Sequence, residues 1–298
     1  MDWGVVATVK APAEKVLAFA AHHLGLGAAQ VWLYFDDPQD PAAEVLAPIP
    51  GVTVARCDAA HWAKIGSRPD RHQNRQSRNA QRCWRRCPLP WLAHLDVDEF
   101  LLPDQPIGEI LAPLHPDQVM LRAEPFEAMH DPALPDDIYT ARQFRGPLKP
   151  PHAALRAPVL GRFAPVLPEA MLSHTAGKAF FRTGIPGLSV RLHGAFLDGT
   201  RLPGPAFDPR LRLLHFHAQD RAAWLAALPF RLTRGAYQYH PEMVAFMEGA
   251  TDAEIAEFYD TTQRLTADQA ALLRKAGRLA ETDLALRAQV LALTGGSV

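Results

Sequence analysis

The sequence predicts an α/β protein, a mixed and mainly parallel sheet flanked by helices, with a helical C-terminal extension. Three observations predict it. Short β-rich runs alternate with helical stretches through about the first hundred residues, in the order strand, helix, strand, strand, helix, strand. Several of those runs end in charged residues. Beyond residue 217 apolar residues recur at helical spacing.

WGVVATVK (3–10) is a β-rich run with Pro12 just behind it, a first strand. AEKVLAFAAHHLGLG (13–27) spaces its apolar residues as a helix and stops at Gly25 or Gly27. AQVWLYF (29–35) is a second strand, cut off by DDPQD, and GVTVARC (51–57) a third. The arginine-rich segment 68–86 is predicted helical, LPWLAHLDV (89–97) a fourth strand, and QVMLRAEPFEAMHD (118–131) contains the next. Residues 125–210 are rich in Pro and Gly, with strand-like pieces PVLGRFAP and KAFFRT. LRLLHFH (211–217) precedes three amphipathic helices, at 220–232, 252–265 and 267–293. The expected organisation is one domain over 1–217, with halves of about 1–104 and 105–217, and the extension over 218–298.

Composition narrows the function. An apolar share of 48% supports a real core, and a net charge of -1 argues against a nucleic-acid binder. Cys57, Cys83 and Cys87 make neither a disulfide framework nor a zinc site, for which Cys83 and Cys87 would need a second pair. Met1-Asp2 lacks the basic-then-apolar opening of a signal peptide, so a cytoplasmic location is expected, or a peripheral one on the inner face of the membrane. The segment 68–86 reads either as a solvated cover over the sheet or as a cationic face for an anionic or lipid-linked acceptor.

In a parallel sheet, ligands sit beyond the carboxyl ends of the strands. Those ends here carry Lys10, Asp36 with Asp37, and Asp96 with Asp98. On an extended strand Asp96 and Asp98 point the same way and repel, unless something positive lies between them. A divalent cation that also takes phosphate oxygens would serve. Solvated strand-end acids, or an aspartate nucleophile as in dehalogenase-type phosphohydrolases, are the rival readings.

WLAHLDVDEFLLP (91–103) resembles the Trp-x-x-x-x-Asp-x-Asp-Glu-Phe signature of glycosyltransferases of the family 2-like and family 92 type, which have the Rossmann-like GT-A fold. The opening block 5–40 and the later pieces GKAFFRT, VRLHGAF and LRLLHFHAQDRAAWLAAL look like further blocks of that family, so the likeness spans about 3–235. Two departures leave the nucleotide base open: Lys10 is followed by APAE, and the second strand ends in DDPQD without the usual Asn and Ser.

The resemblance implies metal-dependent transfer of a hexosyl group, with inversion, from a nucleoside diphosphate sugar (a UDP-sugar favoured) to a saccharide or lipid-linked hydroxyl acceptor, in surface polysaccharide or glycolipid synthesis. The metal would be Mn²⁺ or Mg²⁺. By the same resemblance Asp98 ligates the metal, Asp96 reaches the metal or the donor ribose, and Glu99 orients a ligand or holds a backbone amide. Asp36 and Asp37 fall where the nucleoside binds; Lys10 and Lys64 would face the nucleotide or its phosphates; Gln73, Arg75 or Arg78 would touch the donor. His215 or His193 would be a third metal ligand. The base that deprotonates the acceptor would be Glu127, Glu124 or Asp131. A metal-dependent phosphohydrolase and an inactive binding module of the same shape are the competing functions.

Overall fold

A computed structural model describes residues 1–167 and 169–296, with the side chain of Ala236 left aside. Up to Glu124 and just beyond, the elements are β1 (Trp3–Val9), α1 (Ala13–Gly25), β2 (Gln30–Phe35), α2 (Ala42–Leu46), β3 (Val52–Arg56), α3 (Ala59–Ala63), α4 (His72–Arg86), β4 (Trp91–His94), β5 (Glu99–Pro103), α5 (Ile107–Leu111) and β6 (Met120–Ala128). Then come β7 (Gln143–Arg145), α6 (Arg156–Leu160), β8 (Lys178–Arg182), β9 (Leu188–Arg191), β10 (Gly194–Leu197), β11 (Thr200–Arg201) and β12 (Phe207–His215). The chain closes with α7 (Arg221–Thr233), α8 (Pro241–Gly249), α9 (Asp252–Gln263), α10 (Ala267–Lys275), β13 (Leu279–Glu281) and α11 (Leu286–Thr294). Among the described residues no helix is long and apolar enough to cross a membrane.

The chain forms two compact units. The first takes residues 1–124, 177–213 and 285–298; the second takes 125–176 and 214–284. The first unit is an α/β layer with a mixed, mostly parallel sheet, compatible with a Rossmann-like fold. Its strand order is β6-β8-β4-β1-β2-β3. β1 pairs in parallel with β2 and β4, and β2 with β3; β8 runs antiparallel to β4 and β6.

Every residue of β1 is buried, as a central strand covered on both faces requires. Val6 belongs to a cluster with Leu92, Phe181, Ala80, Cys83 and Trp84, so α4 covers the face of the even-numbered residues. By strand alternation Val5, Ala7 and Val9 point to the other face. Gly4 has no substitute, since a Cβ there would meet Trp32 at 2.5 Å and the Gln30 carbonyl at 2.8 Å. α11, though last in the chain, packs on α1 in this unit.

In the second unit the end of β6, β7 and β13 pair antiparallel, Glu127 facing Arg145. Its core gathers Phe163, Leu172, Trp224, Tyr237, Met243, Phe258, Tyr259 and Leu273 around α6–α10. Thr251 with Glu254, and Thr266 with Gln269, form capping boxes that start α9 and α10.

Three expectations are corrected. The strand expected over 89–97 stops at His94, and Asp96–Glu99 is a turn in which Glu99 N donates to Asp96 O at 3.1 Å. PVLGRFAP is helical rather than extended, because Val159, Leu160 and Phe163 turn to one core. The long last helix is broken: Gly277 takes a left-handed φ of 67°, Arg278 N bonds Leu273 O and Gly277 N bonds Arg274 O, a Schellman stop, and the chain leaves as β13.

Candidate functional site

Because β1, β2, β3 and β4 are parallel, their carboxyl ends share one edge of the first unit. Successive strands step outward from β1 to β3, whereas β4 lies on β1's other side. The order therefore reverses between β1 and β4, the place where open α/β sheets bind ligands. Backbone bonds tie the ends together: Asp36 N to Val9 O at 3.0 Å, Cys57 N to Phe35 O at 2.9 Å, Leu95 N to Val6 O at 3.1 Å.

Two consecutive residues of α4 brace the two strand-end carboxylates. Asp36, buried, receives Arg75 Nη2 on Oδ2 at 2.9 Å, with Nε 2.8 Å from Oδ1, and Arg68 Nη2 on Oδ1 at 3.1 Å. Arg75 also donates through Nη1 to the carbonyls of Pro69 and Asp70, at 3.0 and 2.7 Å, which fixes the loop leading into the helix. One residue on, the Gln76 amide donates to Asp96 Oδ1.

Asp96 Oδ2 takes the ammonium of Lys178 at 2.6 Å, and that ammonium lies 3.4 Å from Glu99 Oε2. Glu99 Oε2 in turn accepts Asp96 N at 2.8 Å, closing the turn. Lys178 and Glu99 are fully buried. Burial pulls the lysine's pKa down, but the charges of Asp96 and Glu99 outweigh it and hold it above the ordinary value. His72, in the first turn of α4, feels Asp96, Asp36, Arg75 and Lys10; burial, the largest influence, lowers its pKa. His94 is driven down to about 3, first by burial and then by Lys178.

Deeper under the sheet, Asn79 donates to Thr8 Oγ1 at 3.1 Å and bonds His61 at 2.9 Å, while Gln81 Oε1 accepts Val190 N. α4 covers one face of the sheet with its outer side solvated. It turns Arg75, Gln76, Asn79 and Gln81 inward as a polar seam.

Against the expected residues, the outcome is mixed. Lys10, Lys64 and Gln73 are exposed. Asp37 holds a turn by accepting Gln39 N at 2.9 Å. Arg78 is spent on the Ser67 carbonyl. His193, also in this unit, bonds the Gly177 carbonyl through Nδ1 at 2.9 Å.

Asp96 and Asp98 do not project side by side from a strand, as they occupy a turn. A cation held jointly by the two would have to displace Gln76 or Lys178, or share Asp96 with an ammonium 2.6 Å away. Both Asp96 oxygens are thus engaged, one by Gln76 and one by Lys178.

In the second unit Glu127 is fully buried and accepts Leu172 N at 2.9 Å and Ser173 N at 2.7 Å, with Arg145 Nη2 3.9 Å away. Burial, opposed by Glu127, lowers the Arg145 pKa to about 10. Glu127 is thus tied to the backbone of residues 172 and 173. Asp131 is an exposed turn acid that accepts Ala133 N at 3.0 Å. Glu124, in β6 at the end of the first unit's segment, is half-buried. His215 closes β12 beside His174, ring centroids 5.7 Å apart, and His217, at 5.2 Å. Ring nitrogens of His174 and His215 lie within 4.8 Å of one another, a donor pair suited to a borderline metal. His217 Nε2 bonds Tyr237 OH at 2.9 Å.

The sequence reading missed Gln76, His72, Arg68 and the role of Lys178. Helical phase was the available signal for Gln76, one turn beyond Gln73 and adjacent to Arg75. For Lys178 it was a cation leading the apolar strand KAFF. The chain matches no protein-family model, and no curated protein matches it.

Proposed function

We propose that this protein is a GT-A-like glycosyltransferase, moving a sugar from a nucleoside diphosphate donor to a hydroxyl acceptor. One observation carries the reading: Asp36 and Asp96 stand at the carboxyl edge of the parallel strands, on either side of the reversal of strand order, each braced by α4. The Asp-x-Asp-Glu-Phe resemblance supports it, because Asp96 is that motif's first acid.

Asp36 and Asp96 would accept donor hydroxyls, their positions fixed by Arg75, Gln76 and Lys178. Lys178 lies 2.6 Å from Asp96 Oδ2 and compensates its charge. Lys10 and Arg68 supply positive potential for a diphosphate at the start of α4, where unpaired backbone N–H groups add to it. Glu124, half-buried on β6, Glu127 and Asp131 stay the candidates for proton removal from the acceptor.

A panel of nucleotide sugars, read by released nucleoside diphosphate with and without Mn²⁺, tests this. One donor should turn over, slowly even without acceptor, and Asp96→Asn should reduce turnover at least about tenfold. No release from any donor, with no thermal stabilisation by any nucleoside diphosphate, would sink the reading. Hydrolysis of an aryl phosphate that disappears in Asp96→Asn would replace it with a phosphohydrolase.

A further inference from the structure

α4 carries five arginines, with Arg71 at its N-cap, and of these six only Arg75 is used by the crevice. Arg71, at its N-cap, and Arg78, Arg82, Arg85 and Arg86 follow i, i+3, i+4, i+7 spacing, so they share one face with Arg75. Arg71, Arg78, Arg85 and Arg86 are exposed and Arg82 half-buried. No Asp or Glu occurs between Arg71 and Leu95. Among the described residues none of the five lies in an ion pair, whereas Arg75 on the same face is paired with Asp36. Like charges at this spacing destabilise a helix, so the stripe works against folding and answers to something outside the chain. At 1.5 Å per residue it is about 22 Å long, and its first turn is the one that holds Asp36 and Asp96.

We infer that this arginine stripe is a track for an acidic saccharide chain whose end reaches the crevice. Its standing as the acceptor rests on the transferase reading. The chemistry selects that partner over two other polyanions. A helix lying in a membrane surface needs an apolar face turned to the lipid. The apolar residues Ala80, Cys83 and Trp84 of α4 are instead buried on the sheet. Single-stranded nucleic acid is met by aromatic rings along a basic groove. The one indole of α4, Trp84, is buried and donates to the Arg182 carbonyl at 3.0 Å. What remains is a row of planar forks that grip carboxylates in pairs. One helical turn advances about 5.4 Å, a step comparable to one pyranose ring.

Calorimetric titration of the full chain with a short oligogalacturonate, and with its neutral reduced counterpart, tests the track. The acidic oligomer should bind, more weakly as salt rises, and the neutral one should not. R78Q/R82Q/R85Q/R86Q should bind it at least about tenfold more weakly. The milder R85Q/R86Q pair gives the same reading should the fourfold variant lose its circular dichroism. Affinity unchanged in these variants, equal binding of the neutral oligomer, or tighter binding of phosphatidylglycerol vesicles or an oligonucleotide overturns the proposal. UDP titration of the same variants keeps the two readings apart. Oligogalacturonate binding by a chain that takes no nucleotide upholds the track and removes the transferase; nucleotide binding and turnover without oligogalacturonate binding removes the track alone.

Discussion

Lys178 sets a buried positive charge against Asp96 and Glu99. The ammonium is the one cation between two carboxylates, so removing it leaves both uncompensated in a poor solvent. Lys178→Met should therefore lose about 3–5 kcal/mol in urea unfolding, and Asp96→Asn in that background should restore part of it. The pH behaviour has a definite sign. The folded pKa of Lys178 is raised above its ordinary value of 10.5, so its stabilising contribution is complete below that value. It is lost only as pH climbs through the raised one. The wild-type urea midpoint should thus show no Lys178-dependent decline on the mildly alkaline side. The arrangement was half legible beforehand: two acids close together demand a positive neighbour, but a lysine about eighty residues away competes with any cation only once strands β4 and β8 are paired. Gln73 was named through the resemblance, whereas the amide that reaches Asp96 is Gln76, one turn further on.

At the scale of elements, α1 offers the plainest titration. His22 donates through Nε2 to Leu101 O at 2.8 Å, and His23 is fully buried beside Phe100. Burial, the leading influence, lowers both pKa values, so below about 6.5 the unfolded chain takes up protons that the folded chain refuses. The urea midpoint should fall between about pH 7.5 and pH 5.5, and His23→Leu should flatten that fall. α4 shows a second principle. Arg75→Lys cannot reproduce the two-pronged grip on Asp36 and should weaken nucleoside diphosphate binding at least about tenfold, read by calorimetry. Strands β1, β2 and β3 and helices α1, α7 and α9 were legible because their periodicity is strong and their stops are glycines, prolines or acids. The 95–98 turn was not, since Leu95 and Val97 are apolar enough to prolong the strand on paper. Only the bond from Asp96 N to Glu99 Oε2 shows that this acid ends it.

At the scale of the molecule, the two units are threaded through each other in sequence, with crossings at 124–125, 176–177, 213–214 and 284–285. Hydropathy reads the chain in order and cannot see a tail returning to its first helix. Removal of residues 285–296 should lower the melting temperature of the first unit although it leaves the crevice residues untouched. Leu286 and Val290 are both buried, each contributing about 1.5–3 kcal/mol.

That return of α11 onto α1 also sets a timetable. The strands of the crevice leave the ribosome early, yet β8, which brings Lys178, and α11, which covers α1, are made long afterwards. At about 5–20 residues per second the opening segment waits roughly 13–54 seconds for that helix, with part of the apolar surface of α1 uncovered. Co-expression of a holdase chaperone should accordingly raise the soluble yield of the full chain, and an unchanged yield would count against a long-exposed α1.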